Sequence, residues 1–330
     1  MSFAGRDRVN SNYTLAVQEV SKRFDHFTAV DALTLNVPAG TMYGLLGPNG
    51  AGKTTTLRMI MNITIPDSGH IEILGRPMSE ELKKHIGYLP EERGLYPKMK
   101  VGETLLFLGQ IKGLPNSQAH SQMDLWLDRM DLLSWKEKKI NELSKGMQQK
   151  IQFIATILND PELIILDEPF AGLDPVNADL LKDVMLELKK RGRTIIFSTH
   201  RMEQVEKLCD NICLIHKSKK VLDGSLREIK RGYGKNTVIV EYEGDDGFMR
   251  DERFIEAANN YGKYAELKLK PGANSQDLLR SMVDRTTITR FEVGEPSLNE
   301  IFKEVVGQSV EELNAEDQNK RRGMFATVVR

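Results

Sequence analysis

The stretch GPNGAGKT at 47–54 constrains this chain more than any other. It follows a short apolar run, TMYGLL (41–46), which reads as a strand. It leads into KTTTLRMIMN (53–62), which reads as a helix. Glycines let the backbone curl until successive N–H groups point inward, and the start of the following helix adds partial positive charge. A turn of this kind between strand and helix is a cradle for phosphate oxygens. It runs over Gly47, Pro48, Asn49, Gly50, Ala51, Gly52, Lys53, Thr54 and Thr55. Lys53 is placed to reach the β and γ phosphates of a nucleotide, and the Thr54 hydroxyl to ligate Mg2+.

A second motif completes such a site. LIILDEP (163–169) is an apolar strand that ends in two acids. Acids at the carboxyl end of a buried strand lie at the sheet edge where open α/β folds bind ligands. Asp167 is the acid expected to hold Mg2+, and Glu168 the one expected to polarise an attacking water.

Further strands are expected at 15–20, 30–37, 70–74, 85–89, 194–198 and 211–216, with helical patterns between most of them. That alternation points to a parallel sheet with crossover helices. Apolar residues at helical spacing dominate 100–158, which reads as a helical insertion. Beyond about residue 233, NTVIVEYEG, KYAELKLK and TTITRFEV alternate as strands, with helical stretches between. The expected organisation is a nucleotide-binding domain at 13–232, a small α+β domain at 233–307, and a polar tail at 308–330, helical or disordered.

Charge excludes some partners. Lys plus Arg is 46 and Asp plus Glu is 47. A chain so balanced has no global field with which to recruit nucleic acid. The short basic runs at 136–139, 217–220 and 320–322 read as solvated surface. Cys209 and Cys213 read as small core residues in a reducing compartment. The first residues, MSFAGRDRVNSNYT, carry no apolar segment of a secretory signal, and no apolar run reaches the ~18 residues of a membrane helix. If the protein serves a membrane, another chain is expected to span it.

The order GPNGAGKT, LSKGMQQK (143–150), LIILDEP, AGLDP (171–175), STH (198–200) resembles the ATP-binding-cassette (ABC) ATPases. The resemblance implies a P-loop NTPase core with a helical insertion, α/β in class, followed here by the small α+β domain. It implies ATP and Mg2+ as ligands, and a dimer, with itself or with another ABC ATPase. LSKGMQQK corresponds to the family's signature, and Ser144 and Gly146 match it. Lys145 and Met147 depart from it. In the family this segment binds the γ-phosphate held by the other subunit. Asp174 would lie at the dimer seam, and His200 would contact the γ-phosphate and help orient water. Phe24 stands where the family has an aromatic that stacks on adenine. Glu91 replaces the usual glutamine and would retain a metal or water contact.

YLPEERGLYPKM (88–99), LSKGMQQK and EPSLNEIF (295–302) together resemble a narrower bacterial group, the ATPase subunits of export-type transporters of the sodium-extrusion and multidrug kinds. That resemblance implies an ATP-hydrolysing subunit working with integral membrane permease subunits at the cytoplasmic face of the plasma membrane. The competing readings are a soluble ABC ATPase without cargo and a nucleotide-dependent regulator.

Overall fold

The computed structural model describes residues 13–92, 94–233 and 237–307. The tail at 308–330 and the residues before Tyr13 lie outside the described residues. The chain falls into two compact units, parted between Ser225 and Leu226. The border expected from the sequence lies one short helix, Leu226–Gly232, further on.

In the first unit, β1 (Tyr13–Phe24) and β2 (Phe27–Pro38) form an antiparallel hairpin, and β4 (Ser68–Ile73) pairs along the other side of β1. The central sheet has the order β5-β6-β7-β3-β8-β9. Its strands are β3 (Met42–Leu46), β5 (Ile86–Leu89), β6 (Leu163–Asp167), β7 (Thr194–Thr199), β8 (Asn211–His216) and β9 (Lys219–Ser225). The first five of these run parallel and β9 antiparallel.

Every residue of β3, β6 and β7 is buried. Strands covered on both faces need unbroken apolar runs, which is how these segments read. Leu15, Val17 and Val20 of β1 share one core with Leu45 of β3, Leu57 of the following helix and Ile165 of β6. Each such side chain contributes about 1.5–3 kcal/mol of burial.

The expectation of one parallel sheet is corrected here. The strands read at 15–20, 30–37 and 70–74 belong to the separate antiparallel sheet. Only Asp25 and His26 lie between β1 and β2, and Phe24 pairs with Phe27. A two-residue link allows a hairpin but no crossover.

Helices α1 (Lys53–Ile60), α2 (Val101–Ile111), α3 (Asn116–Arg129), α4 (Lys145–Ile157), α5 (Pro175–Lys190) and α6 (Met202–Leu208) complete the unit. The stretch expected as a helical insertion holds α2, α3 and α4 with short 3-10 turns between. Cys213 is wholly buried in β8 and Cys209 half-buried at the end of α6, both as free thiols. Burial pushes the Cys213 thiol far above its ordinary range, which leaves it a packing residue.

The second unit opens with α7 (Leu226–Gly232) and contains a four-stranded antiparallel sheet, β11-β12-β10-β13. These strands are β10 (Thr237–Gly244), β11 (Ile255–Asn260), β12 (Tyr264–Leu269) and β13 (Thr286–Gly294), with α8 (Ser275–Val283) before the last. A final helix at 298–307 carries most of the EPSLNEIF motif, and Leu298 and Ile301 are buried. Ser297 and Glu300 cap it reciprocally: Ser297 N–H donates to Glu300 Oε2 at 2.8 Å, and Glu300 N–H to Ser297 Oγ at 3.2 Å.

Candidate active site

Because β3, β6 and β7 are parallel neighbours, their carboxyl ends open on one edge of the sheet. Three of the sequence motifs leave from there: the phosphate loop after β3, Asp167 and Glu168 at the end of β6, and Ser198 to His200 at the end of β7. Register brings them close, since Leu46 pairs with Thr199 and Asp167 with Ser198.

The loop is tightly built. A Cβ on Gly47 would lie 2.2 Å from the carbonyl oxygen of Ile215, and one on Gly52 2.3 Å from that of Ala29. Both glycines have positive φ, so backbone conformation and close approach each demand glycine. Lys53 is buried, and its Nζ donates to the carbonyls of Gly47 at 2.9 Å and Pro48 at 3.1 Å. Burial pulls its pKa below the ordinary value, against the opposing influence of Glu168, Asp167 and Glu91. The first-turn N–H groups of α1 have no intrahelical partner, as at any helix start.

The loop walls a cavity of about 320 Å³. Asn49, Gly50, Gly52, Lys53, Thr54 and Thr55 form one side, and Glu91 and Glu168 also line it. Phe27 and Ala29 of β2 close it. Phe24 is not part of that lining. It pairs directly with Phe27 across the hairpin, half-exposed, with the Lys22 ammonium 5.5 Å from its ring. The β1–β2 hairpin thus presents two aromatics here, of which the sequence expectation names only Phe24.

The acids are joined in a chain of hydrogen bonds. Asp167 is fully buried, and its Oδ1 accepts from the Ser198 hydroxyl. Its Oδ2 is buried with no hydrogen-bond partner among the described residues. Ser198 Oγ also accepts the N–H of Glu168 at 3.0 Å. Glu168 has φ of 47°, a left-handed conformation for a non-glycine residue, and its Oε1 lies 2.9 Å from His200 Nδ1. The sequence expectation for STH rests on its histidine and leaves Ser198 out. Nothing within the segment marks it, since its partner Asp167 lies on the neighbouring strand.

The remaining residues gather elsewhere. Ser144 is the N-cap of α4, its Oγ accepting from Met147 N–H at 3.3 Å. Gly146 faces the segment before α5, where a Cβ added to it would lie 3.6 Å from Leu173 and 3.9 Å from the carbonyl of Gly172. Asp174 caps α5, accepting from Asn177 N–H at 3.0 Å and from the Asn177 amide at 2.6 Å, and these bonds hold its carboxyl below the usual range. None of the three lines the cavity. Behind them, Gln149 Nε2 donates to Pro169 O, and Gln152 Nε2 to Glu92 O at 3.1 Å. Side chains of α4 thereby hold the segments that follow Glu168 and Glu91.

A phosphate cradle at the carboxyl edge of a parallel sheet, with paired acids ending a nearby strand, defines a nucleotide-binding protein of the P-loop class. Residues 30–171 match the ABC transporter family, and residues 224–306 match the C-terminal domain of DrrA1-3-like ATP-binding proteins. An uncharacterized ABC transporter ATP-binding protein of Bacillus subtilis (strain 168), YhaQ, is 46% identical over 293 residues, 89% of this chain and 98% of that protein. The Nod factor export ATP-binding protein I of Burkholderia lata is 33% identical over 301 residues, 89% of this chain and 97% of that protein. A solved ATP-binding subunit of an ABC transporter superposes with a TM-score of 0.63 at 31% identity, over 67% of this chain and 93% of the other. The chain belongs to the ABC transporter ATP-binding proteins.

Among the described residues no helix is long and apolar enough to cross a membrane.

Proposed function

We propose that this chain hydrolyses ATP, with Mg2+, to drive export through separate membrane subunits. The observation that carries the reading is the hydrogen-bonded chain from Asp167 through Ser198 and Glu168 to His200, beside the phosphate loop. A nucleotide's phosphates would lie on the loop, with Lys53 leaving its carbonyl partners for phosphate oxygens. Glu168 polarises the attacking water, and His200 holds that carboxylate and faces the γ-phosphate. Phe24, beside Phe27, offers the base an aromatic face.

The residues present fit a hard cation. Asp167 Oδ2 is a buried carboxylate oxygen with no hydrogen-bond partner among the described residues, and Thr54 and Glu91 line the cavity. These three would hold Mg2+, which when bound neutralises charge on the β and γ phosphate oxygens.

Phosphoryl transfer depends on positioning and charge stabilisation, so an incomplete site is a slow one. Ser144, Gly146 and Asp174 neither line this chain's own cavity nor join the hydrogen-bonded chain of Asp167, Ser198, Glu168 and His200, which supports their serving the nucleotide of a second cassette. ATP then favours a closed dimer and ADP does not, and that difference moves the permease subunits. Export is supported by the relatives named for export, and work at the cytoplasmic face of a membrane by the transporter family itself. Transporter-type relatives spanning nearly the whole chain also weigh against a soluble enzyme without cargo or a regulator.

Glu168→Gln tests the reading. ATP binding should persist, hydrolysis should fall by about 100-fold or more, and a dimer should accumulate with ATP. Hydrolysis at the parent rate would remove Glu168 from the mechanism.

A further inference from the structure

We propose that Ser198 is a positioning residue that sets both acids of the site through one hydroxyl. The proposal rests on the reading of Asp167 and Glu168 given above and adds what holds them.

Ser198 lies opposite Asp167 in the β6–β7 pairing and has no exposed surface. A hydroxyl has one proton to give and lone pairs to receive. Here the proton goes to Asp167 Oδ1, and a lone pair takes the N–H of Glu168. The two bonds do not compete.

Each has a separate consequence. The first engages Oδ1 and so selects Oδ2 as the oxygen left with free lone pairs. Without it the carboxylate is free to turn, and the choice of oxygen is lost. The second bond restrains Glu168 at its own nitrogen. A non-glycine residue at positive φ persists only where its surroundings over-determine it. With the nitrogen held by Ser198 and the carboxylate held by His200, Glu168 is fixed at both ends.

Thr199 cannot substitute. It is the next residue on β7, so its side chain points to the opposite face, where its hydroxyl accepts the N–H of Arg201 at 3.1 Å.

The test compares Ser198→Ala and Ser198→Cys with Glu168→Gln in the full chain. Two quantities are read: ATP hydrolysis at saturating nucleotide, and affinity of the ATP-loaded chain for Mn2+, followed by electron paramagnetic resonance. Groups that orient metal ligands are typically worth about 10–100-fold in affinity or activity. Ser198→Ala should lose about that much in both, with ATP affinity in the absence of metal nearly unchanged. Ser198→Cys keeps the shape with a slightly larger atom and only a weak donor, so it should fall close to Ala. Glu168→Gln should lose hydrolysis and keep Mn2+ affinity.

Parent-level Mn2+ affinity and hydrolysis in Ser198→Ala would overturn the proposal while leaving the roles of the acids intact. Full activity in Ser198→Cys would overturn it as well, by assigning the effect to packing. An active Glu168→Gln would overturn the underlying reading, and this proposal with it.

Discussion

His200 Nδ1 lies 2.9 Å from Glu168 Oε1, and the histidine of this pair is half-exposed while the glutamate is nearly covered. The pair joins a solvent-facing ring to a carboxylate with little exposure of its own. His200→Ala should lower kcat by about 100-fold or more and leave ATP affinity much less changed. Because half the ring faces solvent, the thermal midpoint should hardly move. Steady-state hydrolysis, a nucleotide-binding titration and a melting curve check the three statements. An equal loss in kcat and affinity would mean that His200 holds ground-state nucleotide instead of the reacting water.

Gly50 and Gly52 separate two reasons for glycine in one loop. Both have positive φ, 79° and 108°. A Cβ on Gly50 meets nothing within 4 Å, whereas one on Gly52 would lie 2.3 Å from the Ala29 carbonyl. Gly50→Ala should lose about 1 kcal/mol from conformational strain alone. Gly52→Ala adds a backbone collision and should lose about 3 kcal/mol or more, with ATP binding impaired as β2 and the loop are forced apart. Denaturant unfolding ranks the two, and equal losses would show that close approach to β2 is unimportant.

The second unit offers a pH test. The Arg253 guanidinium hydrogen-bonds Asp251, and the Arg253 N–H adds to it, which holds that carboxyl down at about 2. A carboxylate with a lowered folded-state pKa contributes stability that is present above the unfolded value of about 3.9 and is lost as pH falls through the folded one. Asp251→Asn should therefore weaken the unit at neutral pH and approach the parent only as the pH falls below about 2. Arg253 is largely solvent-exposed, so screening keeps the difference small. Hydrogen exchange of the β10 and β12 amides reports it. A gap that persisted undiminished at pH 2 would contradict the ion pair as its source.

The legible parts of this chain were those where local chemistry leaves one solution. A glycine loop between an apolar strand and a helix reads directly, and so do two acids closing a strand. Sheet membership was harder, because β1 and β2 alternate like many strands and only the two-residue link at Asp25 and His26 reveals a hairpin. Strands β9 and β11 carry no strand pattern of their own. KKVLDGS begins with two lysines and contains a glycine, and IEAANN has little β-branched or aromatic content. Both are edge strands, made by the sheet beside them more than by their own propensity. Ser198 and Phe27 were illegible for a different reason. Their significance comes from cross-strand neighbours, Asp167 and Phe24, and pairing partners are not written in any single segment.

Ser144 separates service to its own chain from service to a second. Its hydroxyl caps α4 through a 3.3 Å bond, and its removal should destabilise the helix start by about 1 kcal/mol. Ser144 does not line the cavity, so Ser144→Ala should bind ATP like the parent while hydrolysing it slowly. The decisive measurement mixes Ser144→Ala chains with Lys53→Ala chains, each slow by itself. The first keeps an intact phosphate loop and the second an intact Ser144. If the residue acts across a dimer, mixed pairs contain one complete site, and hydrolysis reappears on mixing. If it acts within its own chain, no pairing of the two variants assembles a working site, and the mixture stays as slow as its parts.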